Sequence, residues 1–466
     1  MGKNNKSKKY RIASDSMGEM KVPSSALYGA QTQRAVNNFP ISGIKFNYDF
    51  INAVIIIKRS AAIVNLKLKL INKIKSNAIV KACDKLLAEK PENQFPVDIF
   101  QTGSGTSTNM NVNEVLATIA NTFIKDKKNL IHPNDHINMG QSSNDVIPTA
   151  IHISSLIAVE KKLIPSLVKL ELAISVKVKE FNGILKIGRT HLQDATPMTL
   201  GQEFSGYQSI VKNSLNQINQ SKKLLSSLAQ GGTAVGTGIN THKKFGLLIA
   251  DEISKYTRIK FLKTKNHFEA QSSQNQAVAF SGSLKTLAIG LNKIANDIRW
   301  LGSGPRSGIG ELTIPPVQPG SSIMPGKVNP VICESMIQVC SQVIANDTAI
   351  NLGGLGSVFE LNLMLPLIAH NMLFSINILS NSINVFIDKL LINLQANSDK
   401  CESYIEGSLA MCTSLVPEVG YDKAAQIAYE AFKKNKTIRE VLKDNKIFSD
   451  EKIEKLLDLK LMIKPK

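Results

Sequence analysis

Leu284-Lys285-Thr286-Leu287-Ala288-Ile289-Gly290-Leu291-Asn292-Lys293-Ile294-Ala295-Asn296-Asp297-Ile298 is the stretch on which the fold turns. Leu284, Leu287, Ala288, Leu291, Ile294, Ala295 and Ile298 recur at steps of three and four, which matches the turn of an α-helix and lines up one apolar stripe. Ile153 to Phe181 and Val358 to Leu394 are similarly long and are apolar on more than one side. Without strand alternation between them, such segments imply an all-α bundle whose members are buried on several faces. Pro165 and Pro366 are expected to kink two of these helices.

Working outward, three parts are expected: an N-terminal mixed helical part over residues 1–142, a long central bundle over 143–367 and a small helical C-terminal part over 368–466. In the last of these, Thr437-Ile438-Arg439-Glu440 has the pattern of a capping box that opens a helix. The length of 466 residues suits roughly three domains' worth of core, at about 150 residues per domain.

Composition narrows the function class. Apolar content of 43% fits a globular protein, and the run Ala53-Val54-Ile55-Ile56-Ile57 is ended by Lys58 and Arg59. That is well short of the roughly 18 apolar residues a membrane span requires, so no membrane association is expected. The basic start, Met1 to Arg11, has no apolar segment behind it and does not read as a secretory signal. Five scattered cysteines (Cys83, Cys333, Cys340, Cys401 and Cys412) have neither disulfide nor zinc-knuckle spacing, which points to a reducing cytoplasm. The net charge of +19 raises the question of nucleic acid. The lysines, however, are dispersed among Ile and Asn rather than gathered in a stripe with aromatics, so no nucleic-acid partner is expected.

Between the helical segments lie islands rich in Gly, Ser, Thr and Asn: Thr102 to Asn111, Gln141 to Asp145, Gly188 to Thr199 and Gly302 to Asn329. A fifth, Gly231 to Thr241, reads as a tight turn system whose glycines lack dinucleotide-binding spacing. The richest is Gly320-Ser321-Ser322-Ile323-Met324-Pro325-Gly326-Lys327-Val328-Asn329-Pro330. It imitates a phosphate-binding loop, but five residues separate its glycines and Val328 stands where a metal-binding hydroxyl is needed, so a nucleotide site is rejected. What remains is a candidate nucleophile or base, Ser321 or Ser322, beside Lys327 and Asn329, groups suited to a carboxylate.

Ser104, Gly105 and Thr106 precede one expected helix, and Ser142, Ser143 and Asn144 precede another. Helix N-termini offer free N–H groups and a positive dipole end, so hydroxyls there help to hold an anion. Simple N-capping is the competing account of Ser143, Asn144 and Asp145. Two such caps together with Lys327 look like a clamp for a dicarboxylate. In Gly188-Arg189-Thr190-His191-Leu192-Gln193-Asp194, the imidazole of His191 lies among polar residues, where it is placed to activate a water. Glu334, at the start of an expected helix, is a candidate carboxylate partner for it. His132-Pro133-Asn134-Asp135-His136 is rejected as a metal site, because Pro133 is expected to break helical geometry and no second ligand cluster accompanies it.

With these residues in place, the loop Gly320 to Pro330 is similar to the signature of the fumarase/aspartase superfamily, and the four islands resemble its other shared regions in the same order. The resemblance runs from about Ala26 to the segment Gly420-Tyr421-Asp422-Lys423-Ala424-Ala425. Within the superfamily the chain resembles the class II fumarases. Thr190-His191-Leu192-Gln193 has the fumarase form, whereas aspartases carry Gln at the histidine position, and Gly326, Ser142-Ser143-Asn144 and Phe359-Glu360-Leu361-Asn362 point the same way.

The resemblance implies a homotetramer around a twenty-helix core, each active site being built from three subunits. It implies reversible hydration of fumarate to (S)-malate without metal or organic cofactor, with aspartate ammonia-lyase as the sibling alternative. A non-catalytic scaffold role is the alternative from another class. Carried over by residue, Ser321 takes the C3 proton of malate and His191, paired with Glu334, handles the water at C2. Ser104, Gly105, Thr106, Ser142, Ser143, Asn144, Thr190, Ser322, Lys327, Val328 and Asn329 surround the substrate. His132, Pro133, Asn134 and Asp135 resemble a second, non-catalytic dicarboxylate site. The chain departs from the pattern at His267 in place of a usual lysine, at Asn129 where some relatives have arginine, and at Met139-Gly140 where Lys-Ser is common.

Overall fold

The computed structural model describes residues 9–465, so most of the basic N-terminal segment lies outside the described residues. The architecture is all-α. Its helices are α1 (Ala30–Asn38), α2 (Tyr48–Lys67), α3 (Lys73–Glu89), α4 (Thr106–Asn121), α5 (Ser143–Ala158), α6 (Ile164–Glu180), α7 (Leu200–Ser221), α8 (Phe245–Thr257), α9 (His267–Ser272), α10 (Asn275–Leu301), α11 (Val331–Gly354) and α12 (Leu365–Phe386), followed by shorter helices to the C-terminus. The strands among the described residues form only two-stranded sheets. The longest are β1 (Tyr10–Asp15) with β2 (Gly18–Pro23) and β3 (Leu185–Thr190) with β4 (Gln193–Thr199), both antiparallel.

The stripe that decided the fold is buried as its period requires: each of its seven apolar side chains on α10 is at most 2% exposed, while Ile289 on the opposite side is 56% exposed. From Ser143 the chain is helical without interruption to Glu180, through α5, a π-helical turn at Val159–Leu163, and α6. The two prolines expected to kink helices stand elsewhere in the geometry. Pro366 is the second residue of α12, where a missing N–H costs nothing because the first turn has no intrahelical acceptors. Pro165 is the second residue of α6, directly after the π turn, so the irregularity there is an extra residue in the turn.

The chain divides into two compact units, each discontinuous in sequence. The first comprises the chain up to Pro165, Asn216–Thr286 and Ser341–Leu379. Within it α2 packs against α3, α5 and α8, and α4 packs against α1, α3 and α5. Helix α2 buries Phe50, Ile51, Val54, Ile55, Ile57 and Val64 and is apolar almost all round, as a helix enclosed by neighbours must be. Each such side chain contributes about 1.5–3 kcal/mol on leaving water. Glu114 of α4 ties α1 down by accepting from the backbone N–H groups of Gly29, Gln31 and Thr32 at 2.8–3.1 Å.

The second unit comprises Ser166–Leu215, Leu287–Cys340 and Ser380–Lys466. Its C-terminal helices close over a cluster including Met411, Leu415, Ile427, Ile438, Leu442 and Ile453. The expected capping box is present there, with Thr437 and Glu440 each bonded to the other's backbone N–H.

Candidate active site

In the first unit, the islands at 102–111 and 141–145 come together. Gly105 is the N-cap of α4, with a left-handed φ of 72°, and Ser104 Oγ lies 2.9 Å from Thr106 Oγ1. Neither hydroxyl is the cap, contrary to the simplest reading of that island. Gly103 is required by close approach: a Cβ there would fall 2.0 Å from the carbonyl oxygen of Leu363. Ser142 is the N-cap of α5 and forms a capping box with Asp145. Ser143, the first residue of α5, is 8% exposed and its Oγ accepts from Asn109 Nδ2 of α4 at 2.9 Å. This bond joins the starts of the two helices, so two positive dipole ends lie close to the same hydroxyls. Asn144 donates from Nδ2 to the Ala234 carbonyl at 2.7 Å.

Asp145 does more than cap. Its carboxylate accepts from the backbone N–H groups of Ser142 at 2.9 Å, Gly231 at 3.0 Å and Thr233 at 2.9 Å, pinning the 231–241 turn system to the head of α5. Burial pushes its carboxyl up to about 6, against the pull of those three N–H groups and of the Lys58 charge. The Ser-x-x-Asp spacing was the available signal for this role.

In the second unit, the segment read as a loop island at 188–199 is a β-hairpin. Thr190 pairs with Gln193, leaving His191 and Leu192 as a two-residue connection with φ of 56° and 60°. Positive φ at both positions is the mark of a type I′ turn, whose twist suits paired strands but which non-glycine side chains adopt at a cost. The local hydrogen bonding of the strands outweighs that cost, and His191 is carried exposed at the tip. Strand β3 is anchored along its length by charges that sequence reasoning missed. Buried Lys186 lies 2.8 Å from Glu203 and 3.1 Å from Glu311, and Arg189 lies 2.9 Å from Glu311.

The loop 320–330 is pinched at its base. Gly320 N–H donates to the Lys327 carbonyl at 2.9 Å and Asn329 Nδ2 donates to the Gly320 carbonyl at 2.5 Å. One amide proton of Asn329 therefore serves the loop, leaving the other for a ligand. A Cβ on residue 320 would fall 2.2 Å from the Lys327 oxygen, so glycine is needed there. Ser321 Oγ accepts from the backbone N–H groups of Ile323 at 3.2 Å and Met324 at 2.9 Å. Ser322, Lys327 and Val328 are exposed along the same loop, and Glu334 is the exposed fourth residue of α11. Among the described residues of a single chain, no ion pair joins His191 to Glu334.

His132 to Asp135 begin a π-helical turn. Pro133 is its first residue and so starts the turn that it was expected to break. His132 Nδ1 accepts from the Asp135 N–H at 3.3 Å and lies 3.2 Å from its carboxylate. Asn129 accepts from Asn72 Nδ2 at 3.0 Å. His267 Nδ1 lies 2.9 Å from the Ala229 carbonyl, and burial lowers its affinity for a proton.

An all-helical chain with this serine loop is a lyase by its family match: residues 18–345 match the family described as Lyase, and residues 411–464 that described as Fumarase C C-terminus. Fumarate hydratase class II of Helicobacter pylori is 48% identical over 98% of this chain and 99% of its own. That of Bacillus cereus is 46% identical over 98% and 99%. The class II fumarase of Schistosoma mansoni superposes with a TM-score of 0.95 at 38% identity, covering 97% of this chain and 99% of that one. The chain belongs to the class II fumarate hydratase family of lyases.

Proposed function

We propose that the protein catalyses the reversible hydration of fumarate to (S)-malate by metal-independent acid–base chemistry. The observation that carries this reading is Ser321 Oγ held by two backbone N–H donors. Those donors stabilise the alkoxide that a serine must become to act as a base, as an oxyanion hole does for developing charge.

In the dehydration direction Ser321 takes the C3 proton of malate, and the electron pair left behind moves into the neighbouring carboxylate, giving a dianionic aci-carboxylate. Lys327 and the remaining amide proton of Asn329 offset that charge, each donor contributing a few kcal/mol. The pair then returns to form the C2–C3 double bond as the C2 hydroxyl leaves. His191, paired with Glu334, delivers the proton that makes it water. Ser104, Gly105, Thr106, Ser142, Ser143, Asn144, Thr190, Ser322 and Val328 line the dicarboxylate, and His132 to Asp135 form a second, non-catalytic dicarboxylate site.

A homotetramer is part of this reading, with active sites shared by three subunits. It is supported by the apolar side chains that the long helices expose in one chain: Leu172 and Val176 on α6, Ile289 on α10 and Leu352 on α11. We place the enzyme in the cytoplasm and in the tricarboxylic acid cycle; no helix among the described residues is long and apolar enough to cross a membrane. The sibling reading, aspartate ammonia-lyase, is disfavoured by the fumarate hydratase relatives and by His191. The test follows fumarate absorbance after adding malate, or aspartate, to purified and chelator-treated protein. Fumarate from malate alone supports the proposal; activity lost to chelator and restored by iron or zinc overturns its metal-free part.

A further inference from the structure

Lys58, near the middle of α2, is fully buried, yet among the described residues it belongs to no ion pair. Its ammonium donates to Asn138 Oδ1 at 2.8 Å and to Gln141 Oε1 at 3.1 Å. An ammonium has only donors, so these contacts fix which end of each amide faces it. The consequence passes along a chain of bonds. Asn138 Oδ1, turned toward Lys58, also accepts from Nδ2 of Asn109 and of Asn113, each at 3.3 Å. Asn109 Nδ2 in turn donates to Ser143 Oγ at 2.9 Å. A hydroxyl that accepts from Asn109 has its own proton left to donate elsewhere. Bonds in such a series also polarise one another in a buried setting.

We infer that Lys58 is a positioning residue for the reaction: through Asn138 and Asn109 its charge orients Ser143 so that the Ser143 hydroxyl presents its proton to a substrate carboxylate. This rests on the proposed binding of a dicarboxylate at the 142–144 loop. A buried cation behind that loop also adds attraction for an anion in front of it, because little water screens it. The titratable groups facing Lys58 are Asp145 from α5 and Cys83 from α3. From the 138–141 segment it meets the amides of Asn138 and Gln141, and the Asn109 and Asn113 amides of α4 stand behind Asn138. Helix α8 also packs against α2, and its Glu252 is engaged by Lys67. Burial pulls the Lys58 ammonium down to about 7, so its charge is present below neutrality and lost above it.

The test compares wild type, Lys58→Met and Ser143→Ala, measuring KM and kcat for malate across about pH 6 to 9. Circular dichroism and light scattering establish that each variant is folded and assembled. Lys58→Met is expected to raise KM by about ten-fold or more with a smaller change in kcat. In wild type KM should climb as the pH rises through neutrality, and Lys58→Met should lack that climb. Ser143→Ala alone should also raise KM. If Ser143→Ala raises KM and Lys58→Met leaves both KM and its pH dependence unchanged, the role of Lys58 is overturned while the binding loop stands. If Ser143→Ala has no effect, the binding-loop reading falls and this inference with it. If Lys58→Met does not fold, the wild-type profile decides: a KM independent of pH through neutrality overturns the proposal.

Discussion

Glu311 accepts from Arg189 at 2.9 Å across 122 residues of sequence, and its carboxylate is wholly buried. Lys186, 1% exposed, lies 3.1 Å from the same carboxylate and 2.8 Å from Glu203, so two acids balance the two cations of β3, the strand that leads to His191. Removing Glu311 takes from Arg189 its carboxylate partner and leaves Lys186 with Glu203 alone, in a poor solvent. Glu311→Ala should therefore lower stability by about 3–5 kcal/mol, measured as a fall in the denaturant midpoint. An unchanged midpoint would show that water reaches the cluster.

Ser321→Ala removes an oxygen that accepts two backbone N–H bonds within an exposed loop. The fold should persist. kcat should fall by roughly 10²- to 10⁴-fold while KM moves little, because a base acts in the transition state. Near-normal turnover would remove Ser321 from the mechanism.

His191→Gln keeps a hydrogen-bonding side chain of similar reach, and glutamine, like histidine, is not β-branched, so the positive-φ turn is preserved. An amide cannot exchange a proton at the water. Turnover should drop by roughly 10²- to 10⁴-fold and the pH profile should lose one limb, with the oligomeric state unchanged by light scattering. A full bell-shaped profile at wild-type rate would reduce His191 to a structural role.

Gly103→Ala tests the close approach beneath the 102–111 island. The new methyl meets the backbone oxygen of Leu363 at 2.0 Å, and the same segment is held by the Leu365 N–H donating to the Gly103 carbonyl at 3.0 Å. Backbone cannot rotate away as a side chain can. The variant should lose about 1–3 kcal/mol and bind malate more weakly, read by thermal melting and KM.

Asp145 gives stability a pH dependence of defined sign. Its carboxyl is raised from 3.8 to about 6 in the folded protein, so across that window the folded state holds a proton that the unfolded state has released. Its contribution to stability therefore falls as pH rises from about 4 to about 6. Asp145→Asn should abolish that component: the melting temperature of wild type relative to the variant should decline over this range, and a constant difference would contradict the raised value.

The helical class was legible because helix periodicity is local: the stripe from Leu284 to Ile298 carries its period within a single helix, and it is buried as the period requires. Caps are local too, since the Ser142 to Asp145 and Thr437 to Glu440 spacings determine bonds three residues apart. The serine loop could be singled out because its glycines, prolines and hydroxyls exclude helix and strand. What tertiary structure decided lies where distant segments meet. The island at 188–199 became a hairpin because Leu185–Thr190 and Gln193–Thr199 satisfy each other's backbone groups, which short alternations among hydroxyls and glycine do not announce. Lys58, which in sequence only ended an apolar run, is buried because amides from 80 and 83 residues away surround its ammonium. Glu311 shows no motif at all. The energy of a buried charge depends on which partners reach it, and that is a property of packing rather than of neighbours in the chain.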